Sequence, residues 1–352
     1  MSEKVLMKGN EAIAEAAILC GCKHFFGYPI TPQNEIPEYF ANKMPAAGGV
    51  AVQAESEIGA INMVLGASAA GVRVLTSSCS PGISLKTEAI SYLIGSDLPC
   101  VIVNVQRSGP GLGGIQPSQA DYFQTTRALG HGDVRAIVLA PASVQEAADY
   151  TRLAFDLADV YRMPVMILSD GALGQMMEPV EFKKGSGRTL PAKTWATCGH
   201  QGKREQNIIT SLYIDPYDLE KTVVARYERY AEIQKKEVMF EEIGTEDADV
   251  VVVAYGISAR VARSAVRKAR KAGIKAGLFR PQTLWPFPTN RLNELAGKIK
   301  KYVVAELNMG QMVEDVRLAA DAKCGVDFVG RTGGVVITPD EIFEAIKKAG
   351  GK

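Results

Sequence analysis

What most limits the fold of this chain is its rhythm: short β-branched, apolar runs alternate with segments of helical spacing. Helical patterns over residues 11–21, 35–43, 58–69, 84–94 and 144–160 are interleaved with strand-like runs at 24–30, 50–53, 72–77, 101–106, 136–140 and 164–169. A strand followed by a helix cannot fold back as a tight hairpin, so each helix carries the chain across to another parallel strand. The pattern therefore predicts an α/β fold, a mainly parallel sheet with helices on both faces. After residue 170 the rhythm breaks into a polar stretch containing GSGRTLPAK and a charged helical segment at 217–236. It resumes with strands near 250–255, 277–280, 302–307 and 326–329, and helices at 259–271, 292–299 and 340–349. Thr338-Pro339 opens the last helix as an N-cap followed by proline at the first helical position. The division expected is a first α/β domain over 1–190, a connection over 191–246 and a smaller α/β domain over 247–352, and 352 residues at 47% hydrophobic content sustain two such cores.

Charge narrows the function. Forty Lys and Arg against 39 Asp and Glu leave a net charge of +1, without the basic field that nucleic-acid binding uses. Apolar runs such as 100–105 and 250–254 are far too short to span a bilayer, and the start of the chain lacks a basic segment followed by an apolar one. The expectation is a cytoplasmic protein with neither membrane nor nucleic acid as partner. The six cysteines, at 20, 22, 79, 100, 198 and 324, include no CxxC pair. Iron–sulfur clusters and structural zinc favour clustered thiolates, so no metal is expected on this chain and the cysteines read as buried thiols. His24, His131 and His200 form no metal or nucleophile constellation, and His24, beginning a strand, reads as structural.

In a parallel sheet, ligands bind beyond the carboxyl ends of the strands, and four loops there stand out. The first is Gly27-Tyr28-Pro29-Ile30-Thr31-Pro32, where two prolines bracket Thr31. Thr31 reads either as a carboxylate ligand beside free helix amides or as an ordinary N-cap. The second, Gln53-Ala54-Glu55-Ser56-Glu57-Ile58-Gly59-Ala60, leads two carboxylates into a helix of small residues. These carboxylates either complement the helix dipole or, if buried at a subunit interface, demand a specific partner. The third loop, Ser78-Cys79-Ser80-Pro81-Gly82, is small and tight enough for a ligand to approach closely. The fourth runs from Gln106 to Gly114, with Arg107 at the end of an apolar strand. Arg107 suits bidentate recognition of a carboxylate or phosphate, and equally suits a surface ion pair. Gly109, Gly111 and Gly114 match a dinucleotide fingerprint, but Pro117 stands where the phosphate-binding helix would run, and no acidic residue follows at the ribose distance.

Taken together and in order, GYPITP, ESEIGA, TSSCSPGISL and VNVQRSGPG resemble the alpha subunit of 2-oxoacid:ferredoxin oxidoreductases. The later segments VAYGISARVARSAV, GLFRPQTLWPFP and VVAELNMGQM resemble the same subunit's domain, similar to a transketolase C-terminal domain. QRSGPGLGGIQPSQADYFQ is similar to the branched-chain type, which acts on 3-methyl-2-oxobutanoate (2-oxoisovalerate). The 2-oxoglutarate type tends instead to a GGPSTG-like loop. The resemblance implies a pyrimidine-type thiamine diphosphate-binding domain followed by the transketolase C-terminal-like domain. It also implies coenzyme A-dependent oxidative decarboxylation of a 2-oxoacid with ferredoxin as electron acceptor. By this likeness Glu57 contacts N1′ of the aminopyrimidine, with Glu55 the less fitting substitute. Thr31 and Arg107 hold the substrate carboxylate, Pro29 and Ile30 shape the pocket, and Pro29, Pro81 and Gly82 line the cofactor. The diphosphate and Mg2+ half resembles a G-D-G segment with a later N-N. Ser169-Asp170-Gly171 lacks that sequel, and Gly132-Asp133-Val134 fits no better. A beta subunit is thus expected to bring the Mg2+-diphosphate ligands, a ferredoxin-like delta subunit the iron–sulfur clusters, and a gamma subunit to complete the assembly. The alternatives are the alpha subunit of a 2-oxoglutarate:ferredoxin oxidoreductase, a transketolase-like carbon–carbon transfer and a non-catalytic paralogue acting as a scaffold.

Overall fold

The computed structural model describes residues 4–351. The first half follows the expected alternation: β1 (Val5–Lys8), α1 (Gly9–Leu19), β2 (His24–Gly27), α2 (Glu35–Ala47), β3 (Val50–Gln53) and α3 (Glu57–Ala69), then β4 (Val74–Ser78), α4 (Ser80–Gly95) and β5 (Cys100–Gln106). It continues through α5 (Tyr122–Thr126), β6 (Ile137–Leu139), α6 (Val144–Tyr161), β7 (Pro164–Asp170), α7 (Gly171–Gln175) and β8 (Met177–Val180). Residues 181–215 form no regular element before α8 (Pro216–Lys236). There follow β9 (Phe240–Ile243), β10 (Val250–Val253), α9 (Gly256–Lys271), β11 (Ala276–Pro281), β12 (Thr283–Trp285) and α10 (Thr289–Ala296). The chain ends in β13 (Lys301–Glu306), α11 (Met312–Ala320), β14 (Gly325–Gly330) and α12 (Pro339–Ala349).

A seven-stranded sheet has the order β12-β6-β7-β5-β4-β2-β3, parallel throughout except for β12. All seven residues of β5 and all seven of β7 are buried, as central strands covered on both faces must be. The second sheet, β14-β13-β10-β11-β9, is parallel apart from the edge strand β9. The second half of the chain also contributes to the first sheet: β12, just after β11, pairs with β6 on its edge. The three residues of β12 follow β11 after a single intervening residue, so the sequence does not mark them as a separate strand. The antiparallel pair of β1 with β8 is likewise short and half-exposed. The last helix matches its reading: Thr338 accepts from Glu341 N–H, Glu341 reaches back to Thr338 N–H, and Pro339 follows.

Gln119 fastens the two halves from within the interface. Its amide donates to Tyr255 O at 2.9 Å, while its oxygen accepts from Ser258 Oγ at 2.7 Å and from Leu307 N–H at 3.0 Å. The backbone carbonyl of Gln119 also accepts from Asn308 Nδ2 at 2.7 Å. Each of these groups is buried, so leaving one unpaired would cost about 1–3 kcal/mol. The loop that follows Arg107 is thereby held rigidly against the second sheet.

Four of the cysteines, Cys20, Cys22, Cys79 and Cys100, are buried as expected, but Cys198 is exposed and Cys324 half-buried. Cys198 departs from the reading because it lies in the irregular stretch after β8, which has little apolar surface to cover it. No group of three or more His, Cys, Asp and Glu side chains suited to a metal ion occurs among the described residues. None of the described helices is long and apolar enough to cross a membrane.

Candidate active site

The order of the sheet decides where a ligand can sit. From β2 the chain runs out to the edge strand β3, then returns past β2 to β4 and continues to β5 on the far side. The order of strands thus reverses between β2 and β4, and such a reversal opens a crevice at the carboxyl ends of the strands. The first, third and fourth of the marked loops leave β2, β4 and β5 at this crevice, and the second leaves β3 beside it.

These loops are tied together. Arg107, 7% exposed, donates from Nη1 to Thr31 O and from Nη2 to Leu112 O, both at 3.0 Å. Its Nε is buried without a partner. The Cys79 thiol also donates to Thr31 O, at 3.2 Å, and burial pushes that thiol up to about 12. Behind them Ser80 Oγ accepts from Arg107 N–H at 3.1 Å and donates to Asp121 Oδ2 at 2.6 Å; Asn104 Nδ2 donates to the same oxygen at 3.0 Å. Burial raises Asp121 above the usual carboxylate range, against the lowering effect of those two hydrogen bonds. Sequence reasoning missed Ser80, Asn104 and Asp121 as supports of Arg107. Asn104 carried a usable signal, since a polar side chain amid an apolar central strand needs a buried partner.

The two glutamates of the second loop separate cleanly. Ser56 caps α3, accepting from Gly59 N–H at 3.0 Å. Glu55, before the cap, is exposed and accepts from the Ser56 hydroxyl, whereas Glu57, in the first turn, is 6% exposed. No hydrogen bond to the Glu57 carboxylate is formed among the described residues. Its neighbour is the first turn of α4, which begins at Ser80 rather than near 84, so Pro81 and Gly82 are helical. Pro81 is compatible because its missing N–H falls in the turn where helix amides have no partner. A Cβ on Gly82 would collide with Ser78 Oγ and lie 2.8 Å from Glu57 Oε1. Glycine here lets the carboxylate lie against the helix, and Ser78 Oγ is buried beside it without a partner.

Thr31 falls differently from one of its readings. β2 ends at Gly27, α2 starts at Glu35 with Asn34 at its N-cap, and Thr31 is exposed in the loop between them. Pro29 and Pro32 keep this loop out of the helical region, so Thr31 is no N-cap. Pro29 is exposed and Ile30 half-buried on the same loop. The glycine-rich segment after Arg107 closes on itself: Gly114 N–H donates to Ser108 O at 2.9 Å and Ser108 N–H to Gln116 O at 3.0 Å. Gly113 sits at φ +59° with no room for a side chain against Ser108 O. No helix follows until α5, so the dinucleotide fingerprint has no phosphate-binding helix here. Asp170 caps α7, accepting from Ala172 and Leu173 N–H at 2.9 and 3.1 Å, and burial pushes it up to about 6.

Residues 15–242 match the family model described as pyruvate flavodoxin/ferredoxin oxidoreductase, thiamine diphosphate-binding, and residues 248–342 match pyruvate:ferredoxin oxidoreductase core domain II. The chain belongs to the 2-oxoacid:ferredoxin oxidoreductase family. It is 49% identical to ketoisovalerate oxidoreductase subunit VorB of Methanothermobacter thermautotrophicus, over 98% of each chain. Identity to 2-oxoglutarate synthase subunit KorA of Methanothermobacter marburgensis is 38%, over 98% of this chain and 99% of that one. Among solved structures, 2-oxoglutarate:ferredoxin oxidoreductase from Magnetococcus marinus, with 2-oxoglutarate, coenzyme A and succinyl-CoA bound, superposes with a TM-score of 0.89 at 29% identity. That match covers 99% of this chain and 65% of the other. The chain is therefore an oxidoreductase subunit with a thiamine diphosphate-binding domain in a mixed α/β fold. The transketolase-like transfer reading gives way to this membership.

Proposed function

We propose that this chain supplies the aminopyrimidine half of the active site in a complex that converts 3-methyl-2-oxobutanoate and coenzyme A to acyl-CoA and carbon dioxide with reduction of ferredoxin. Thiamine diphosphate, when bound, supplies the electron sink for decarboxylation. The residues around Glu57 fit its pyrimidine. The carboxylate is buried but free of internal hydrogen bonds, Gly82 leaves it room, and Ser78 Oγ awaits a partner. Glu57 would hold and exchange a proton at N1′, while Pro29, Pro81 and Gly82 line the ring. Arg107 and Thr31 would bind the 2-oxoacid carboxylate, with Ile30 shaping the pocket and the same pair within the approach of coenzyme A.

The choice of substrate rests on a cavity of about 530 Å3 beside Thr31, walled mainly by Pro32, Ile115, Pro117, Ala172 and Val336, with Gln116 and Gln175 as neutral polar groups on it. No Lys, Arg or His lines it, so it suits a branched apolar side chain and offers no counter-charge to the second carboxylate of 2-oxoglutarate. The higher identity to the ketoisovalerate relative points the same way. A beta subunit would bring the Mg2+ and diphosphate ligands, seated over α3 and α4, where Ile58, Met63, Leu85 and Tyr92 are exposed. Gamma and ferredoxin-like delta subunits, the latter carrying the iron–sulfur clusters, would complete a cytoplasmic assembly. The test is to purify the native complex and compare 2-oxoisovalerate, 2-oxoglutarate and pyruvate with a viologen acceptor. The highest kcat/KM is expected for 2-oxoisovalerate; preference for 2-oxoglutarate would transfer the chain to the other type.

A further inference from the structure

A lysine lies where the fold offers it almost nothing. Lys86, on α4, is 0% exposed, and among the described residues its ammonium makes one hydrogen bond, donated to Thr76 Oγ1 on β4 at 2.6 Å. An ammonium has three donors, and no carboxylate forms an ion pair with this one among the described residues. The Glu57 carboxylate lies one turn of α4 away, against Gly82.

The arrangement is a column. Gly82 and Lys86 are four residues apart, hence on one face of α4; Thr76 and Ser78 are two apart, hence on one face of β4. Gly82 meets Ser78 and Glu57, and one turn further on Lys86 meets Thr76. A polar seam thus runs inward from the Glu57 carboxylate to a dry amine.

We propose that Lys86 is a positioning residue that sets the proton affinity of Glu57 from beneath, a role that rests on reading Glu57 as the N1′ contact. Burial brings the amine down to about 7, and Glu57 partly opposes that fall. The influence is reciprocal: a charged Lys86 favours the Glu57 carboxylate, and a neutral one lets it take up a proton more readily. Other groups facing the pair stay out of the working range. The Cys100 thiol on β5, beside Lys86, and the Cys79 thiol at the N-cap of α4, on which Glu57, Arg107 and Asp121 all act, are both pushed up to about 12 by burial.

The coupling is read first in the full-length chain, from the NMR titration of lysine labelled at Cε. The Lys86 signal is assigned as the one lost in Lys86→Arg. Its midpoint is expected near neutral pH and should fall by on the order of one pH unit in Glu57→Gln, which removes the anion but little volume. An unmoved midpoint overturns the proposal. The second readout is the pH profile of turnover in the assembled complex. Lys86→Met should move the whole profile to higher pH by on the order of one unit, because the carboxylate loses its cation. Lys86→Arg, charged throughout, should keep it at or below the wild-type position. Should Lys86→Met not assemble, the NMR midpoint alone decides, an unshifted midpoint in Glu57→Gln being fatal. A profile unmoved by either lysine substitution, in a complex that Glu57→Gln inactivates, overturns the role of Lys86 and leaves Glu57 standing. Full turnover in Glu57→Gln would remove the premise and the proposal with it.

Discussion

Glu57→Gln should slow exchange of the thiazolium C2 proton in the assembled complex by about 10²–10⁴-fold, the scale for losing a general acid–base group. The amide keeps the size of the side chain and cannot exchange a proton as a carboxyl can. Folding and assembly should be unchanged, since among the described residues the Glu57 carboxylate makes no hydrogen bond that the amide would forfeit. Glu55→Gln is the control two residues away. That side chain stands outside the Ser56 cap in solvent, and its loss should change exchange by far less. The measurement is hydrogen–deuterium exchange at C2 with turnover alongside. Exchange abolished by Glu55→Gln and intact in Glu57→Gln would put the working carboxylate on the other glutamate.

Arg107→Ala should lower kcat/KM by about 2–5 kcal/mol of transition-state stabilisation, as for a buried charged partner left unpaired. Two effects combine. The guanidinium would grip the substrate carboxylate, and it already holds two loops in place through Thr31 O and Leu112 O. Thr31→Val leaves the backbone carbonyl and removes only an exposed hydroxyl, so about 1–2 kcal/mol is expected. Comparing the two variants in the reconstituted complex separates the grip of the side chains from the tethering of the loop. Unchanged kcat/KM in both would refute the assignment.

The sequence made the sheet legible because its central strands are buried on both faces and most of its helices are long. β5 and β7, each seven buried residues, were unmistakable. Some of the shortest elements were not: β12, β9 and α7 are fixed by their tertiary neighbours, not by their own periodicity. At the site, the marked loops carried Thr31, Glu57 and Arg107 because proline, glycine and charge are conspicuous at strand ends. The supports were hidden for a physical reason. Lys86 looks like any helix-surface lysine until the tertiary packing closes over it, and Asp121 looks like a loop residue until Ser80 and Asn104 reach it. Burial also distinguished Glu57 from Glu55, which their spacing of two residues alone did not.

The central claim is that this chain holds only one half of a cofactor site, and calorimetry tests it directly. Thiamine diphosphate with Mg2+ is titrated into the isolated chain and into the complex rebuilt with its partner subunits, with the iron–sulfur absorbance of both recorded. The account predicts no tight binding and no cluster absorbance in the chain alone, and stoichiometric binding once the partners are present. Tight, stoichiometric binding of the cofactor by the isolated chain would contradict it.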